Sequence, residues 1–152
     1  MPTFELTRVI GRSPADVFDF VSDLRNLPRW QSGIERLEVV PDAPPRVGTA
    51  VRERRVVQGR RVDLAYRVMR LDPGRLLHVE GSEGPVRYRA VQTVAPEGED
   101  STRLSVRVEV ELSGAMRFLA GLVAPAIQRQ AAADLERLAA LLEQPAQGDQ
   151  QR

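Results

Sequence analysis

The apolar positions change period twice along the chain. Phe4, Leu6 and Arg8 alternate against Glu5, Thr7 and Val9, which predicts a strand over 4–10. Gly11-Arg12-Ser13-Pro14 stops it. Ser13 is a helix N-cap candidate, Pro14 suits the first helical position, and Asp16 places a carboxylate in the first turn. Val17, Phe20, Val21 and Leu24 then recur at helical spacing, so a short amphipathic helix is expected over 14–22. Asn26-Leu27-Pro28-Arg29-Trp30 reads as a second cap with one or two further turns, ended by Gly33.

From Ile34 to Leu112 the period is two. Strands are predicted over 34–40, 48–57, 62–71, 76–82, 86–94 and 102–112. The breaks between them are a Pro-rich loop at 41–45 and turns at Gln58-Gly59-Arg60-Arg61, Asp72-Pro73-Gly74-Arg75, Glu83-Gly84-Pro85 and 96–100. Gly59 as first central residue fits a type II′ hairpin turn. The last strand alternates most cleanly, with Leu104, Val106, Val108, Val110 and Leu112 on one face and Arg103, Ser105, Arg107, Glu109 and Glu111 on the other. One face is therefore buried and one solvated. Ser113 then caps a long helix over about 115–143. Its apolar stripe runs through Met116, Leu119, Val123, Ile127, Ala131, Leu135, Leu138 and Leu142. Pro125 removes one of its hydrogen bonds and should kink it. Residues 144–152 are polar and predict a frayed tail, leaving 1–143 as one domain.

A sheet with one apolar face needs a cover, and only the C-terminal helix is long enough to supply it. One helix cannot fill the space over seven curved strands. A cavity between helix and sheet is expected, and such cavities hold small apolar ligands. The fold class predicted is α+β: a curved seven-stranded antiparallel sheet wrapped around the long helix, with two short helices after the first strand.

Composition narrows the chemistry. The 152 residues include 22 Arg, no Lys, no Cys and one His, with a net charge of +1. The missing types exclude a Schiff-base lysine, thiol catalysis, disulfides and a Cys-rich zinc site. A near-zero net charge argues against a nucleic-acid binder. No window approaches the roughly eighteen apolar residues of a membrane span, and no secretory signal is visible, so a cytoplasmic location is expected. No nucleotide-binding glycine motif, calcium loop or metal cluster is present, and no cofactor is expected.

Ile10-Gly11-Arg12-Ser13-Pro14-Ala15-Asp16-Val17-Phe18, then Val21-Ser22-Asp23-Leu24 and Leu27-Pro28-Arg29-Trp30, resemble the N-terminal signature of the START-like (SRPBCC) superfamily, in particular its polyketide cyclase/dehydrase branch. Gly48-Thr49, Leu71-Asp72-Pro73, Thr102-Arg103-Leu104 and Ala133-Asp134-Leu135-Glu136-Arg137-Leu138 followed by Leu141-Leu142-Glu143 continue the likeness over residues 3–143. The resemblance implies a helix-grip fold. It leaves function open, because such proteins include lipid and hormone binders, aromatase/cyclases and co-chaperone-like domains.

Strand 48–57 breaks the apolar pattern. A two-residue turn at Gly59-Arg60 sets Val57 opposite Val62, Arg55 opposite Leu64, Glu53 opposite Tyr66 and Val51 opposite Val68, and points Glu53 and Arg55 inward. A three-residue turn would point Arg52 and Arg54 inward instead. Inward Glu53 and Arg55 fit either a polar anchor for a ligand carbonyl, phenol or carboxylate, with Glu53 as proton acceptor, or an ion pair that satisfies itself. The resemblance to aromatase/cyclases, which carry a cavity-facing Arg, points to Arg55 as the counterpart. Tyr66 and Tyr88 face inward by parity. Trp30 can wall the cavity entrance, and Leu64, Val106, Met116, Leu119, Val123 and Ile127 supply apolar walls. Alternation puts His78 on the convex face, beside the apolar pair Leu77 and Val79. The arginines of that face (Arg61, Arg67, Arg87, Arg89, Arg103, Arg107) are interspersed with Asp63, Glu109 and Glu111, and cross-strand pairing accounts for them.

Three functions fit. The first is binding of a small hydrophobic or aromatic molecule in the cavity. The second is a polyketide cyclase/aromatase using Glu53, Arg55, Tyr66 and Tyr88 for aldol closure and dehydration. The third is a protein-interaction module of the co-chaperone or toxin-like kind. A homodimer through a sheet edge or the convex face is compatible with the pattern.

Overall fold

The computed structural model describes residues 3–81 and 86–144, with side chains at all of these except positions 115, 116, 119, 120, 122 and 123. The predicted turn at Glu83-Gly84-Pro85, the tail from 145 on and the side chains of Met116, Leu119 and Val123 lie outside the described residues.

Strand β1 (Thr3–Ile10) leads into helix α1 (Pro14–Ser22), a single 3₁₀ turn (Leu24–Asn26) and helix α2 (Leu27–Trp30). Six strands follow: β2 (Ile34–Val40), β3 (Ala50–Val57), β4 (Arg60–Asp72), β5 (Leu76–Gly81), β6 (Val86–Pro96) and β7 (Thr102–Leu112). All seven form one antiparallel sheet in the order β1-β7-β6-β5-β4-β3-β2. A 3₁₀ segment (Gly114–Leu119) then precedes helix α3 (Ala120–Glu143). This is the helix-grip arrangement.

Local chemistry explains the elements. Ser13 is extended and its hydroxyl accepts from the Asp16 amide at 3.2 Å, so α1 starts where its cap and Pro14 allow. β7 keeps Leu104 and Val108 buried and Arg103 and Arg107 exposed. In β4 the register shifts between Val68 and Arg70, and Met69 is left exposed. That extra residue returns Leu71 to the inner face, opposite Leu77.

Two expectations need correction. The β3–β4 turn is Gln58-Gly59, both with positive φ (50° and 77°), as a type I′ turn requires. Val57 therefore pairs with Arg60, Arg55 with Val62, Glu53 with Leu64 and Val51 with Tyr66. The pairing moves by two residues, so parity survives and Glu53 and Arg55 stay on the inner face. Second, the long helix is not α-helical from residue 115. Gly114 has φ 64° and a 3₁₀ segment intervenes before Ala120. Pro125 lies inside α3, in its second turn.

The core joins all layers. Ile10, Val17, Val21, Leu77, Leu104 and Leu138 are fully buried, with Leu135, Ala139 and Leu142 of α3 beside them. The end of α3 is tied down by groups that reach its backbone and last turn. Arg12 donates to the Leu142 carbonyl at 2.8 Å, and the Gly11 amide donates to Glu143 at 2.8 Å. A cation on a terminal helix carbonyl satisfies an orphan acceptor and complements the helix dipole. The convex face carries its charges in pairs, among them Arg54–Asp63, Arg61–Glu35 and Arg103–Glu97 at 2.8–2.9 Å. No helix among the described residues is long and apolar enough to cross a membrane.

Candidate functional site

Between the inner face of the sheet and α3 lies a cavity of about 360 Å³. Its apolar wall includes Leu6, Leu64, Ala90, Val106, Val108 and Val110 from the sheet and Ile127, Ala131 and Leu135 from α3. Trp30 closes it from α2. Of the residues picked from sequence, Trp30, Arg55, Leu64, Tyr88, Val106 and Ile127 line this space.

Glu53 and Tyr66 do not line it. They form the layer behind Arg55. Glu53 is only 4% exposed, and its carboxylate accepts from the Tyr66 hydroxyl at 2.6 Å and from Arg55. Arg55 also donates to Gln31 Oε1 at 2.9 Å. Burial works against the charged guanidinium, but the adjacent Glu53 carboxylate together with Tyr88 and Tyr66 more than offsets it, and Arg55 stays cationic. The two tyrosine rings sit 5.3 Å apart and tilted by 47°. Burial, reinforced by Glu53, raises the Tyr66 phenol well above its ordinary range. Burial likewise pushes Tyr88 up to about 12, with Arg55 pulling the other way. Both phenols are protonated at neutral pH. The Tyr88 hydroxyl can donate to a ligand but cannot serve as a base there.

A second polar cluster was missed in the sequence. Asp134 on α3 lines the cavity and is 4% exposed. Its Oδ1 accepts from the Ser32 amide at 3.1 Å, the Ser32 hydroxyl at 3.3 Å and Arg137 at 3.3 Å. Gln130 donates to the same Ser32 hydroxyl, and Arg137 reaches the Trp30 carbonyl at 3.3 Å. This cluster fastens the α2–β2 link to α3. The signal was present: Asp134 falls three residues after Ala131 and four before Leu138, within the apolar stripe. Gln92 was missed in the same way. It lies two residues from Ala90 and from Val94 on the inner face of β6, and it lines the cavity.

His78 is on the convex side, as alternation predicted. It accepts from Arg89 at 3.2 Å and has no place on the cavity wall. No cluster able to hold a metal occurs among the described residues.

Burial holds the Asp134 carboxyl above its usual range, partly countered by Ser32, Arg137 and Arg55. The folded chain therefore holds this proton more tightly than the unfolded one. The favourable contribution is complete at low pH and is lost as pH rises through the raised folded value. Asp134→Asn stays neutral and can still accept from Ser32. It is expected to raise the urea midpoint at neutral pH and to flatten the decline that sets in as pH rises from the unfolded carboxyl's value through the raised folded one. Superimposable wild-type and variant profiles would show that the charge carries no penalty.

The profile of a family described as polyketide cyclase / dehydrase and lipid transport matches residues 1–143. The chain belongs to this family. No curated protein is matched. Among solved structures, TTHA0849 from Thermus thermophilus is similar at 26% identity and TM-score 0.79, covering 93% of this chain and 97% of its own. The Zhui aromatase/cyclase from a Streptomyces species is similar at 17% identity and TM-score 0.78, with 93% of each chain covered. A truncated norcoclaurine synthase from Thalictrum flavum follows at 20% identity and TM-score 0.73, covering 95% and 94%. The latter two likenesses establish the fold. In this polyketide cyclase/dehydrase family member, the polar lining of the cavity is Gln31, Ser32, Arg55, Tyr88, Gln92, Gln130 and Asp134, with the exposed Gln58 and Arg60 where β3 turns into β4.

Proposed function

We propose that the chain binds a small uncharged hydrophobic or aromatic molecule in this cavity, with a carbonyl or phenol oxygen of the ligand directed to Arg55. One observation carries the reading. The cavity is mainly apolar; Arg55, the half-buried cation of its lining, is already balanced by a fully buried carboxylate behind it, and the other lining cation, Arg60, is exposed to solvent. A lone guanidinium would call for an anionic ligand. A guanidinium paired with Glu53 keeps its hydrogen-bonding directions but loses most of its net field, which favours a neutral acceptor.

Native mass spectrometry of freshly purified protein, followed by titration with the uncharged dye N-phenyl-1-naphthylamine, tests this. A bound small molecule or saturable one-to-one dye binding is expected, with displacement by neutral aromatics. An empty protein that takes up no dye would overturn the reading.

A cyclase/dehydrase activity is the second reading, and Tyr88 favours it. Its protonated hydroxyl stands near Arg55 at the cavity, a pairing that could polarise a carbonyl and protonate an oxygen. The proton acceptor such chemistry also needs is less well served. Glu53 is screened from the cavity by Arg55, and Asp134 is the carboxylate that lines it. Binding therefore ranks first.

A further inference from the structure

Two buried side-chain polar atoms among the described residues have no hydrogen-bond partner: Gln92 Oε1 and Trp30 Nε1. Both residues line the same cavity. Gln92 is 9% exposed and sits on β6 between Leu77 of β5 and Val106 of β7. Its neighbours on the inner face of its own strand are Ala90 and Val94. Nothing in that aliphatic surround can satisfy an amide. A leucine there would bury as well and leave no acceptor unpaired, so the amide is a net liability to the empty fold. Trp30 adds an unpaired donor to Gln92's unpaired acceptor.

Each orphan calls for its own complement in the cavity, an acceptor at Trp30 and a donor such as a hydroxyl at Gln92. The spacing along β6 adds a length. Tyr88 and Gln92 are four residues apart on one face, so their Cα atoms are about 13 Å apart. Along β6 the lining runs from Val86 through Tyr88 and Ala90 to Gln92, so Gln92 stands at its end, away from Tyr88 and Arg55.

We propose that Gln92 is a specificity-determining residue, and that the ligand is an elongated aromatic molecule with polar groups at both ends. A carbonyl or phenol meets Arg55 and Tyr88, and a hydroxyl at the far end donates to Gln92. This rests on the ligand-binding reading above and extends it, because apolar binding with a single polar anchor needs no far-end group.

The probes are naphthalene, 2-naphthol and 2,6-dihydroxynaphthalene, each measured by displacement of N-phenyl-1-naphthylamine. Wild type is expected to bind the diol about tenfold more tightly than the mono-ol, the difference one satisfied buried hydrogen bond makes. Gln92→Leu should reduce that ratio to about one, leave 2-naphthol affinity unchanged or improved, and melt no lower than wild type. Gln92→Met provides the same test with a more flexible side chain. Equal wild-type affinities for diol and mono-ol would overturn the proposal, as would a diol preference that survives in both variants. If none of the three probes displaces the dye, the ligand-binding reading itself falls. If diol and mono-ol bind alike but more tightly than naphthalene, only the role of Gln92 does.

Discussion

Arg55→Ala is expected to lower stability by about 3–5 kcal/mol, read as a loss in the free energy of urea unfolding. The cause is Glu53. Its side chain has no exposed surface, and Arg55 is its only charged partner among the described residues. Removing the guanidinium leaves a carboxylate in an apolar layer with a single phenolic hydrogen bond. Water reaching the space vacated by Arg55 can soften the penalty but not abolish it, since the carboxylate lies behind the cavity wall rather than on it. The same change removes the donor proposed for the ligand oxygen, so saturable dye displacement should fall with stability. The double variant Arg55→Ala/Glu53→Gln separates the two effects. Glutamine is uncharged and can still accept from Tyr66, so much of the lost stability should return while ligand affinity stays low. Non-additivity of that kind is the signature of direct coupling. A cost below about 1 kcal/mol for Arg55→Ala, the scale of an exposed pair, would show that Glu53 is not held as an uncompensated buried charge.

That network also marks where sequence reasoning succeeds and where it stops. Period-two alternation placed Glu53 and Arg55 inward because facing depends only on parity, and the actual Gln58-Gly59 turn, one residue earlier than the expected one, shifts the pairing by two. The pairing partners were wrong for the same reason: turn type depends on backbone dihedrals that Gln and Gly both adopt, and composition alone does not choose between neighbouring registers. Strand β7 and helix α1 were legible to the residue, since each has a clean period and a local stop signal. The 3₁₀ segment before α3 was not, because Ser113 and the apolar positions beyond it satisfy either helix type. The site shows a sharper limit. Glu53 and Arg55 stood out as charges on an apolar face, whereas Gln92 and Asp134 obey the same rule and were passed over. A single amide or carboxylate within a run of small and apolar residues looks like tolerance until the neighbouring elements are in place. Which side chain forms the wall and which stands behind it, as with Arg55 and Glu53, is a matter of depth, and parity carries no depth.

Gly81→Ala is expected to be nearly as damaging, though no hydrogen bond is removed. Gly81 ends β5 opposite Tyr88, and a Cβ there would stand 1.9 Å from the Ala65 carbonyl oxygen and 2.9 Å from the Tyr66 Cβ. Neither neighbour can swing aside, because one is main chain and the other is fixed to it. The strands must part, at a cost of about 3 kcal/mol or more, the upper part of the overpacking range. For a chain of this length that corresponds to a melting temperature lower by roughly 6–12 °C. The functional consequence follows from what Gly81 holds together. Its close approach lets β4 and β6 bring the two tyrosine rings within 5.3 Å, and that contact places the Tyr66 hydroxyl on Glu53. Parting the strands should therefore weaken the support behind Arg55 and reduce dye affinity in parallel with stability. Gly121→Ala is the control, because a Cβ at Gly121 meets nothing within 4 Å and helix propensity favours alanine. It should melt at or slightly above wild type with unchanged affinity. A Gly81→Ala protein as stable as Gly121→Ala would mean that the strands have room to spare, and that the tyrosine pair is set by packing from the cavity side instead.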